Sequence, residues 1–318
     1  MARLVAAVPA AATESMGLDP ISRGRIALPA RFDFPWALRF LAVRTVPSLE
    51  SVGSGRYTRS VRVNGQPLLL ELSEAPAGPN AANGGRVLMA RVQPRMTRAA
   101  LSAVVTRMLD LDADLDAFDA HARRDRVLRR VVLRGSGVRL PQLLDPFEGL
   151  MRAILGQQVS VAGASTITDR LVRLLAASER APGTAAAFLS FPTPDAVADV
   201  GAERLRTIGL TRVKAATIAN VARRIADGAL DLNALTTVPG DEAQAALESL
   251  PGIGPWTASY VRMRALGDRD AFPAADLGVI KALAAVGVDR RSIPTVAERW
   301  RPWRGYATIH LWESLSGR

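Results

Sequence analysis

The chain of 318 residues contains no cysteine, and its 41 Lys and Arg residues against 30 Asp and Glu residues give a formal charge of +11. The absence of cysteine excludes disulfides, thiolate catalysis, cysteine-ligated zinc and an iron–sulfur cluster. The length suggests two or three domains, and the excess of positive charge favours a polyanionic partner, with nucleic acid as the first candidate.

The first segment, residues 1–25, is expected to be a flexible extension. It lacks the continuous apolar core of a signal peptide, and no later stretch has the apolar length of a membrane span. We therefore expect a cytoplasmic protein that has no contact with a membrane.

Residues 26–115 are predicted to form a small α+β domain with an antiparallel sheet. The most specific signal is Asn64-Gly65, which favours a type I′ turn, so that Arg56–Ser73 is predicted to form a β-hairpin. The other predicted elements are a strand in RIALPARFDF, a short helix in PWALRFLAV that begins at Pro35, a loop at Gly78–Gly85, a strand in RVLMARVQP and a helix in MTRAALSAVVTRMLDL.

Strand signals end near residue 115, and helical patterns with start and stop residues follow. Residues 116–139 together with 269–318 are predicted to form one helical domain, and residues 140–268 a second. The acidic run DLDADLDAFD, residues 110–119, lacks the glycine and the glutamate of an EF-hand loop, so we interpret it as a solvated turn between helices. The predicted helices lie in FEGLMRAILGQQVSVAGASTITDRLVRLLAAS, which is interrupted near Gly156, and in TPDAVADV, GAERLRTIG, TRVKAATIANVARRIADG, DEAQAALESL, DLGVIKALAAVGV and TVAERWRPWRGYATIHLWESL.

The segment LPGIGPWTASY, Leu250–Tyr260, is predicted to form a tight hairpin between two helices. Gly252 and Gly254 can adopt positive φ and leave no side chain in the way. Such a turn exposes backbone N–H groups at a helix N-terminus, where a DNA phosphate can bind without any reading of base sequence. The residues by themselves leave a second interpretation open, which is an ordinary turn between helices.

The longer segment LESLPGIGPWTASYVRMRAL resembles the helix–hairpin–helix of the base-excision DNA glycosylase superfamily, and AFPAADLGVIKAL resembles the catalytic aspartate segment of that superfamily. With FEGLMRAILGQQVSVAGA, FPTPDAVA and AERWRPWRGYATIHLW, these segments are similar to the DNA-3-methyladenine glycosylase II (AlkA) type, from roughly residue 30 to the end. The resemblance implies a mainly α fold in which an antiparallel-sheet domain is followed by helical domains that frame a cleft, and in which the hairpin holds DNA.

Asp276 is the catalytic residue that the resemblance implies. From the residues alone, an aspartate at the start of the predicted helix LGVIKALAAV is an N-cap, and the two roles are compatible because a cap is rigidly held. Hydrolysis of an N-glycosidic bond develops positive charge on the sugar, which a fixed carboxylate stabilises while it orients or deprotonates water. An alkylated purine leaves as a neutral base, so one carboxylate is enough, whereas sugar hydrolases use two.

Trp256 and Tyr260 are four residues apart and therefore share one face of the predicted helix. On a helix of unknown function such a pair is core packing. In a glycosylase, that face borders the pocket for the flipped base, and electron-rich rings attract a cationic base. The resemblance implies that Trp312 supplies a third ring.

Further DNA contacts are implied at three places. The resemblance puts the wedge that fills the gap left by the flipped nucleotide in LGQQVS, with Gln157 and Gln158 as candidates, although the family has leucine at the second position; a polar break in a helix is the alternative. Thr257 belongs to the hairpin with its two glycines. The glycine-led segment GLTRVKAA offers Arg212 and Lys214 to phosphates, unless it is only a helix start at the surface.

Trp256 also predicts the reaction type, because superfamily members that cleave the strand carry a lysine at this position to form a Schiff base. We therefore expect a monofunctional, monomeric base-excision repair glycosylase that acts on alkylated purines in double-stranded DNA without an organic cofactor. The resemblance implies a monovalent cation, Na⁺ or K⁺, at the backbone carbonyls of Glu248, Leu250 and Ile253. Two alternatives stay open: a related glycosylase for another lesion such as uracil or hypoxanthine, and a non-catalytic protein that binds damaged DNA, which would give no role to Asp276.

Overall fold

The computed structural model describes residues 21–75, 86–132, 136–175 and 188–316 of the chain. The predicted loop Gly78–Gly85 and the first 20 residues of the predicted extension lie outside these described residues. The first strand begins at Ser22, so the end of the segment that we expected to be flexible is part of the sheet.

Five antiparallel strands form one sheet in the spatial order β1-β5-β4-β3-β2. The predicted hairpin is confirmed, because Asn64 and Gly65 have φ values of 51° and 76° and place Val63 opposite Gln66. Strand β2 was not predicted, since four residues are too short to show alternation. The strands are β1 (Ser22–Ala27), β2 (Glu50–Gly53), β3 (Arg56–Val63), β4 (Gln66–Ala75) and β5 (Val87–Gln93).

The helices follow the predicted order. The break near Gly156 separates α5 from α6, and Gly201, at φ 73° and ψ 161°, interrupts α7 where two predicted helices met. The helices are α1 (Phe34–Ala42), α2 (Arg98–Leu109), α3 (Leu115–Arg124), α4 (Leu128–Val131), α5 (Pro146–Leu155), α6 (Val161–Leu175), α7 (Pro194–Arg206), α8 (Arg212–Ala226), α9 (Gly240–Glu248), α10 (Pro255–Arg264), α11 (Leu277–Ala285), α12 (Ile293–Glu298) and α13 (Arg304–Ser314).

The acidic run at residues 110–119 is only in part the solvated turn between helices that we predicted, since Asp112 and Asp114 are exposed but Asp110 is not. Asp110 is only 1% exposed and ends α2 in the left-handed conformation, with φ 53°. Its carboxylate accepts a hydrogen bond from the Tyr306 hydroxyl at 2.6 Å and forms an ion pair with Arg269. Part of this run therefore joins α2 to the C-terminal helices, through partners that lie far away in the sequence.

Two buried clusters of apolar side chains organise the described residues. One contains the inner face of the sheet, α2 to α4 and the C-terminal helices α11 to α13, and the other contains α5 to α10. The predicted architecture, a sheet domain followed by helical domains, is confirmed, whereas the predicted boundaries at residues 115, 139 and 268 stay predictions. Within the described ranges, no helix is both long and apolar enough to cross a bilayer.

Candidate active site

A cleft of about 1200 Å³ brings residues of both clusters together. One wall comes from the end of α1 and from strands β2 and β3, and another from the turn between α5 and α6. The first turn of α10, the start of α11 and Trp312 on α13 complete it. The predicted catalytic aspartate and the three predicted rings therefore share one cavity.

Asp276 caps helix α11 from its N-terminus, as its position in the sequence predicts. Its backbone is extended, with φ −65° and ψ 129°, and its Oδ1 accepts the backbone N–H of Val279 at 3.0 Å. The side chain is half-buried and lines the cleft. A capping aspartate is held in one rotamer by the helix itself, so the direction of this carboxylate is fixed before any ligand binds.

Two indole N–H groups also donate to the same carboxylate, which the sequence did not predict. Trp256 Nε1 lies 3.0 Å from Oδ2, and Trp312 Nε1 lies 2.8 Å from Oδ1. Hydrogen bonds to an ionised acceptor are stronger than bonds between neutral groups. Both oxygens of Asp276 are thus fixed, and the two tryptophans act as supports of the carboxylate as well as walls.

The three predicted rings pack against each other. Trp256 and Tyr260 are stacked, with ring centroids 5.4 Å apart and planes inclined by 27°. Tyr260 and Trp312 are 6.3 Å apart at 39°. Because the rings already contact one another, the stacking surface that they offer a ligand is the side that faces the cleft, rather than a slot between two of them.

The two glycines of the hairpin between α9 and α10 have different backbone conformations. Gly252 has φ +85°, and a Cβ atom there would lie 2.2 Å from Oγ1 of Thr217, so both conformation and space require glycine. Gly254 does not adopt the positive φ that we considered: it is extended, at φ −97° and ψ 177°, with open space around it. The N–H groups of Gly254 and Trp256 donate to no acceptor in the described part of the chain, which leaves an anion site open at the start of α10.

Thr257 and Gln157 support the hairpin from inside. Gln157 Nε2 donates to the carbonyl of Gly252 at 3.0 Å and to Thr257 Oγ1 at 2.9 Å, and the Thr257 side chain is buried. The Thr257 hydroxyl therefore faces the interior of the hairpin, and a contact between Thr257 and DNA stays a prediction. Gln158 differs: it is exposed, has φ +59° and lines the cleft, so of the two wedge candidates it is the one free to project.

Lys214 has partners inside the protein, and the phosphate contact that we considered for it stays a prediction. Its Nζ donates to the carbonyls of Leu155 and Gln157, at 3.2 and 2.5 Å, and so supports the turn between α5 and α6. Partial burial lowers its pKa. Arg212, the other predicted cation of this helix start, is exposed on the first turn of α8.

Sequence reasoning missed the four arginines that form the floor of the cleft, Arg44, Arg59, Arg152 and Arg264, and Arg44 and Arg264 lie against its aromatic rings. The Arg44 guanidinium lies 3.8 Å over the Phe40 ring and 5.7 Å from the Trp312 ring, and Arg264 lies 6.0 Å from the Tyr260 ring. Burial lowers the pKa of Arg44 to about 10, with the charge of Arg264 acting in the same direction, so it stays protonated at neutral pH. Both arginines occur in apolar segments where nothing in the sequence marks them as ligand contacts.

Comparison with known proteins supplies independent information on the chain. Residues 25–145 match the family model of the AlkA N-terminal domain, and residues 151–304 match the HhH-GPD superfamily base excision DNA repair protein. The DNA-3-methyladenine glycosylase 2 of Escherichia coli is 32% identical over 284 residues, which cover 88% of this chain and 93% of the relative. A probable bifunctional transcriptional activator/DNA repair enzyme AlkA of Mycobacterium tuberculosis is 37% identical over 92% of this chain, but the chain spans only 56% of that relative.

Solved structures show the same fold. The 3-methyladenine DNA-glycosylase of Archaeoglobus fulgidus superposes with a TM-score of 0.74 at 25% identity, over 91% of this chain and 97% of the other. The Clostridium acetobutylicum 8-oxoguanine glycosylase/lyase in complex with double-stranded DNA superposes with a TM-score of 0.66 at 18% identity, over 83% and 86% of the two chains. At this low identity, the second likeness concerns the fold alone.

Proposed function

Because the chain belongs to the family of DNA-3-methyladenine glycosylase 2, we propose that it hydrolyses the N-glycosidic bond of alkylated purines in duplex DNA. The observation that carries this proposal is the carboxylate of Asp276, held by two indoles and a helix N-terminus inside an aromatic cleft. A flipped base in this cleft would bring its sugar to a negative charge whose position is set in advance. Such preorganised charge is worth most at a reaction centre where charge develops.

The chemistry follows from the charges along the path of the reaction. An alkylated purine carries a positive charge before the bond breaks and leaves as a neutral base, while the sugar becomes an oxocarbenium-like cation. Asp276 stabilises this cation and orients the water that attacks it. Glu50 is the other carboxylate that lines the cleft, and it is buried in an ion pair with Arg59 and Arg152. Asp276 is therefore the acid we assign to the reaction.

The aromatic cluster of Trp256, Tyr260 and Trp312 would receive the base on its cleft-facing side. Ring stacking and cation–π attraction favour a cationic purine, by up to about 2 kcal/mol when water is excluded. This recognition depends on the π face of the base, so it suits several alkylated bases. We assign Gln158 to the space that the flipped nucleotide leaves in the duplex, because of the two candidates it is the exposed one and lines the cleft.

The hairpin would hold the DNA backbone. Its free N–H groups at Gly254 and Trp256 lie at the positive end of the α10 dipole, and the open space around Gly254 lets a phosphate approach. Arg212 on α8 is the second contact that we assign to the backbone. These contacts do not depend on the base sequence, as suits an enzyme that must find damage in any sequence.

The hairpin carbonyls also fit a monovalent cation, which we propose as a structural ion. The carbonyl oxygens of Glu248 and Ile253 accept no hydrogen bond from any described residue, whereas that of Leu250 accepts the N–H of Ile253 at 3.0 Å. Glu248 ends helix α9, and the C-terminal end of a helix dipole favours a cation. When bound, the ion would add positive charge beside a phosphate on the hairpin.

We propose that the enzyme has no lyase activity. A lyase needs an amine to attack the sugar, and the chain has only two lysines, Lys214 and Lys281, neither of which lines the cleft. The indole of Trp256 cannot form a Schiff base. We further propose that one chain is sufficient for activity, because Asp276, the aromatic cluster and Gln158 line a single cleft in one chain.

The direct test uses the complete chain and duplex DNA treated with a methylating agent. We expect release of 3-methyladenine, measured by chromatography and mass spectrometry, and abasic sites that break only after alkali. Unmethylated duplex is the control and should release no base. No release from methylated DNA would contradict the proposed activity, and strand breaks without alkali would contradict the absence of lyase action.

A second test concerns Gly278, which leaves room for Trp312 to reach Asp276. A Cβ atom on Gly278 would lie 2.9 Å from Trp312 Cδ1 and 3.0 Å from Asp276 Oδ1. We expect Gly278→Ala to displace the indole and to lower the rate of base release by about tenfold or more, since one charge-assisted hydrogen bond is lost. Affinity for duplex DNA should stay unchanged.

The matched control for this test is Gly53→Ala, where a Cβ atom meets nothing within 4 Å and the residue lies outside the cleft. Single-turnover rates and thermal unfolding would be measured for both variants. A Gly278→Ala enzyme as fast as Gly53→Ala would show that the bond from Trp312 does not support the reaction.

A further inference from the structure

Arg44 presents hydrogen-bond donors to the cleft that nothing in the protein uses. Its Nη1 donates to the carbonyl of Phe40 at 2.9 Å. Its Nε and Nη2 have no acceptor among the described residues and keep some accessible surface. Arg44 lines the same cavity as Asp276 and the aromatic cluster. These two nitrogen atoms are therefore available to a ligand in the cleft.

The guanidinium is also held in place. It lies 3.8 Å over the face of Phe40, and the Arg44 carbonyl accepts a hydrogen bond from Arg152 Nη2 at 2.6 Å. Arg152 is fixed in turn by Glu148, at 3.0 Å. A planar donor that is supported on one face and at its backbone loses little freedom when it binds an acceptor.

The floor of the cleft carries more positive than negative charge. Arg59 and Arg152 are paired with Glu50 and Glu148. Arg44 and Arg264, in contrast, form no ion pair with a carboxylate in the described ranges, and Nη1 of Arg264 is buried without a partner. Such a floor would bind a ligand group that accepts hydrogen bonds and carries partial negative charge.

We infer that Arg44 is a specificity-determining residue that donates to the carbonyl oxygen of a flipped oxopurine, so that the enzyme prefers alkylated guanine to equally alkylated adenine. The inference rests on the proposed function. Guanine carries an oxygen at C6, which accepts hydrogen bonds from a guanidinium. Adenine carries an amino group at the same position, which is itself a donor and meets Arg44 unfavourably.

The pair of lesions that tests this inference is 3-methylguanine and 3-methyladenine. Both bases carry the methyl group on the same ring nitrogen and are cationic before the glycosidic bond breaks. The ratio of their release rates therefore isolates the contacts at the other ring atoms. The initial release rates of both bases would be measured from the same methylated duplex for the wild-type chain, Arg44→Met, Arg44→Lys and the control Arg39→Met. Arg39 is exposed on α1 and lies outside the cleft.

We expect Arg44→Met to lower the ratio of 3-methylguanine to 3-methyladenine release at least tenfold, with Arg44→Lys between this variant and the wild type and Arg39→Met unchanged. Because each ratio comes from one enzyme sample, partial unfolding lowers both rates equally and leaves the ratio intact. Should Arg44→Met yield no folded protein, Arg44→Lys is judged by the same ratio, with at least a threefold fall expected.

The inference is overturned if the ratio of the folded Arg44 variants stays within twofold of the wild type. Failure of the proposed function gives a different result, because the wild-type chain would then release neither base. A wild-type enzyme that releases both bases, with a ratio insensitive to Arg44, retains the proposed function and removes only the role of Arg44.

Discussion

Replacing Asp276 by asparagine should lower the rate of base release by about 100- to 1000-fold, which is the typical cost of losing one preorganised electrostatic group at a reaction centre. The variant removes the negative charge that faces the developing cation on the sugar and keeps the size and shape of the side chain. Asparagine is as good an N-cap as aspartate, so the bond to the Val279 N–H can persist. The defect should therefore appear in the rate and not in thermal stability.

The variant also changes the hydrogen bonds from the two tryptophans in a defined way. An amide has one oxygen, so it can accept from Trp256 or from Trp312 but not from both on separate oxygens. Its NH₂ group then faces an indole N–H, which is a second donor. Some loss of order in the aromatic cluster is therefore expected beside the loss of charge.

The matched control is Asp114→Asn. Asp114 caps α3 through a 3.0 Å bond from the Ala117 N–H, is exposed and lies far from the cleft lining. Single-turnover release of 3-methyladenine, with DNA binding and thermal unfolding measured in parallel, compares the two variants. If Asp276→Asn released the base as fast as Asp114→Asn, the carboxylate would have no part in the reaction.

Elements that depend on neighbours in the sequence were predictable. Asn64-Gly65 adopts the positive φ values of a type I′ turn, because these two residue types tolerate that conformation better than others. Asp276 caps its helix for a similarly local reason. The aromatic pair Trp256 and Tyr260 follows from helical spacing.

Features that depend on distant partners were not predictable. Asp110 is surrounded by acidic neighbours and was assigned to solvent, yet Tyr306 and Arg269 bury it. Lys214 carries the positive charge that a phosphate contact needs, but its ammonium group donates hydrogen bonds to backbone carbonyls of the turn before α6. No local pattern encodes such partners, because a charged side chain has the same local signature whether it faces water or a buried acceptor.

The candidate site likewise combines residues that the sequence indicated with contacts that it did not. The resemblance of sequence segments identified Asp276 and the three rings, but it did not indicate that Trp256 and Trp312 hold the carboxylate through their N–H groups. Arg44, which follows α1 at the edge of the sheet domain, was not recognised as part of the cleft. Its approach to Trp312 depends on the packing of α1 against α13, which lie far apart in the sequence.

A buried ion cluster beneath the cleft connects the sheet to α5. Arg59 Nη2 lies 2.5 Å from Glu148, Arg152 Nη1 lies 3.0 Å from Glu148 and 3.1 Å from Glu50, and Tyr57 donates to Glu50. Burial lowers the pKa of Arg59, but the neighbouring Glu148, Tyr57 and Glu50 together outweigh burial and raise it well above its usual value. The two carboxylates and the two guanidinium groups thus balance each other in a largely buried cluster.

Replacing Glu148 by glutamine should therefore destabilise the fold by about 3–5 kcal/mol, because it leaves Arg59 and Arg152 to share the single charge of Glu50. The matched control is Glu203→Gln on α7, whose partner Arg206 lies 2.8 Å away but whose side chain is 81% exposed. An exposed pair of this kind contributes at most about 1 kcal/mol. Urea unfolding of both variants measures the difference, and equal losses would show that the cluster does not hold the floor of the cleft.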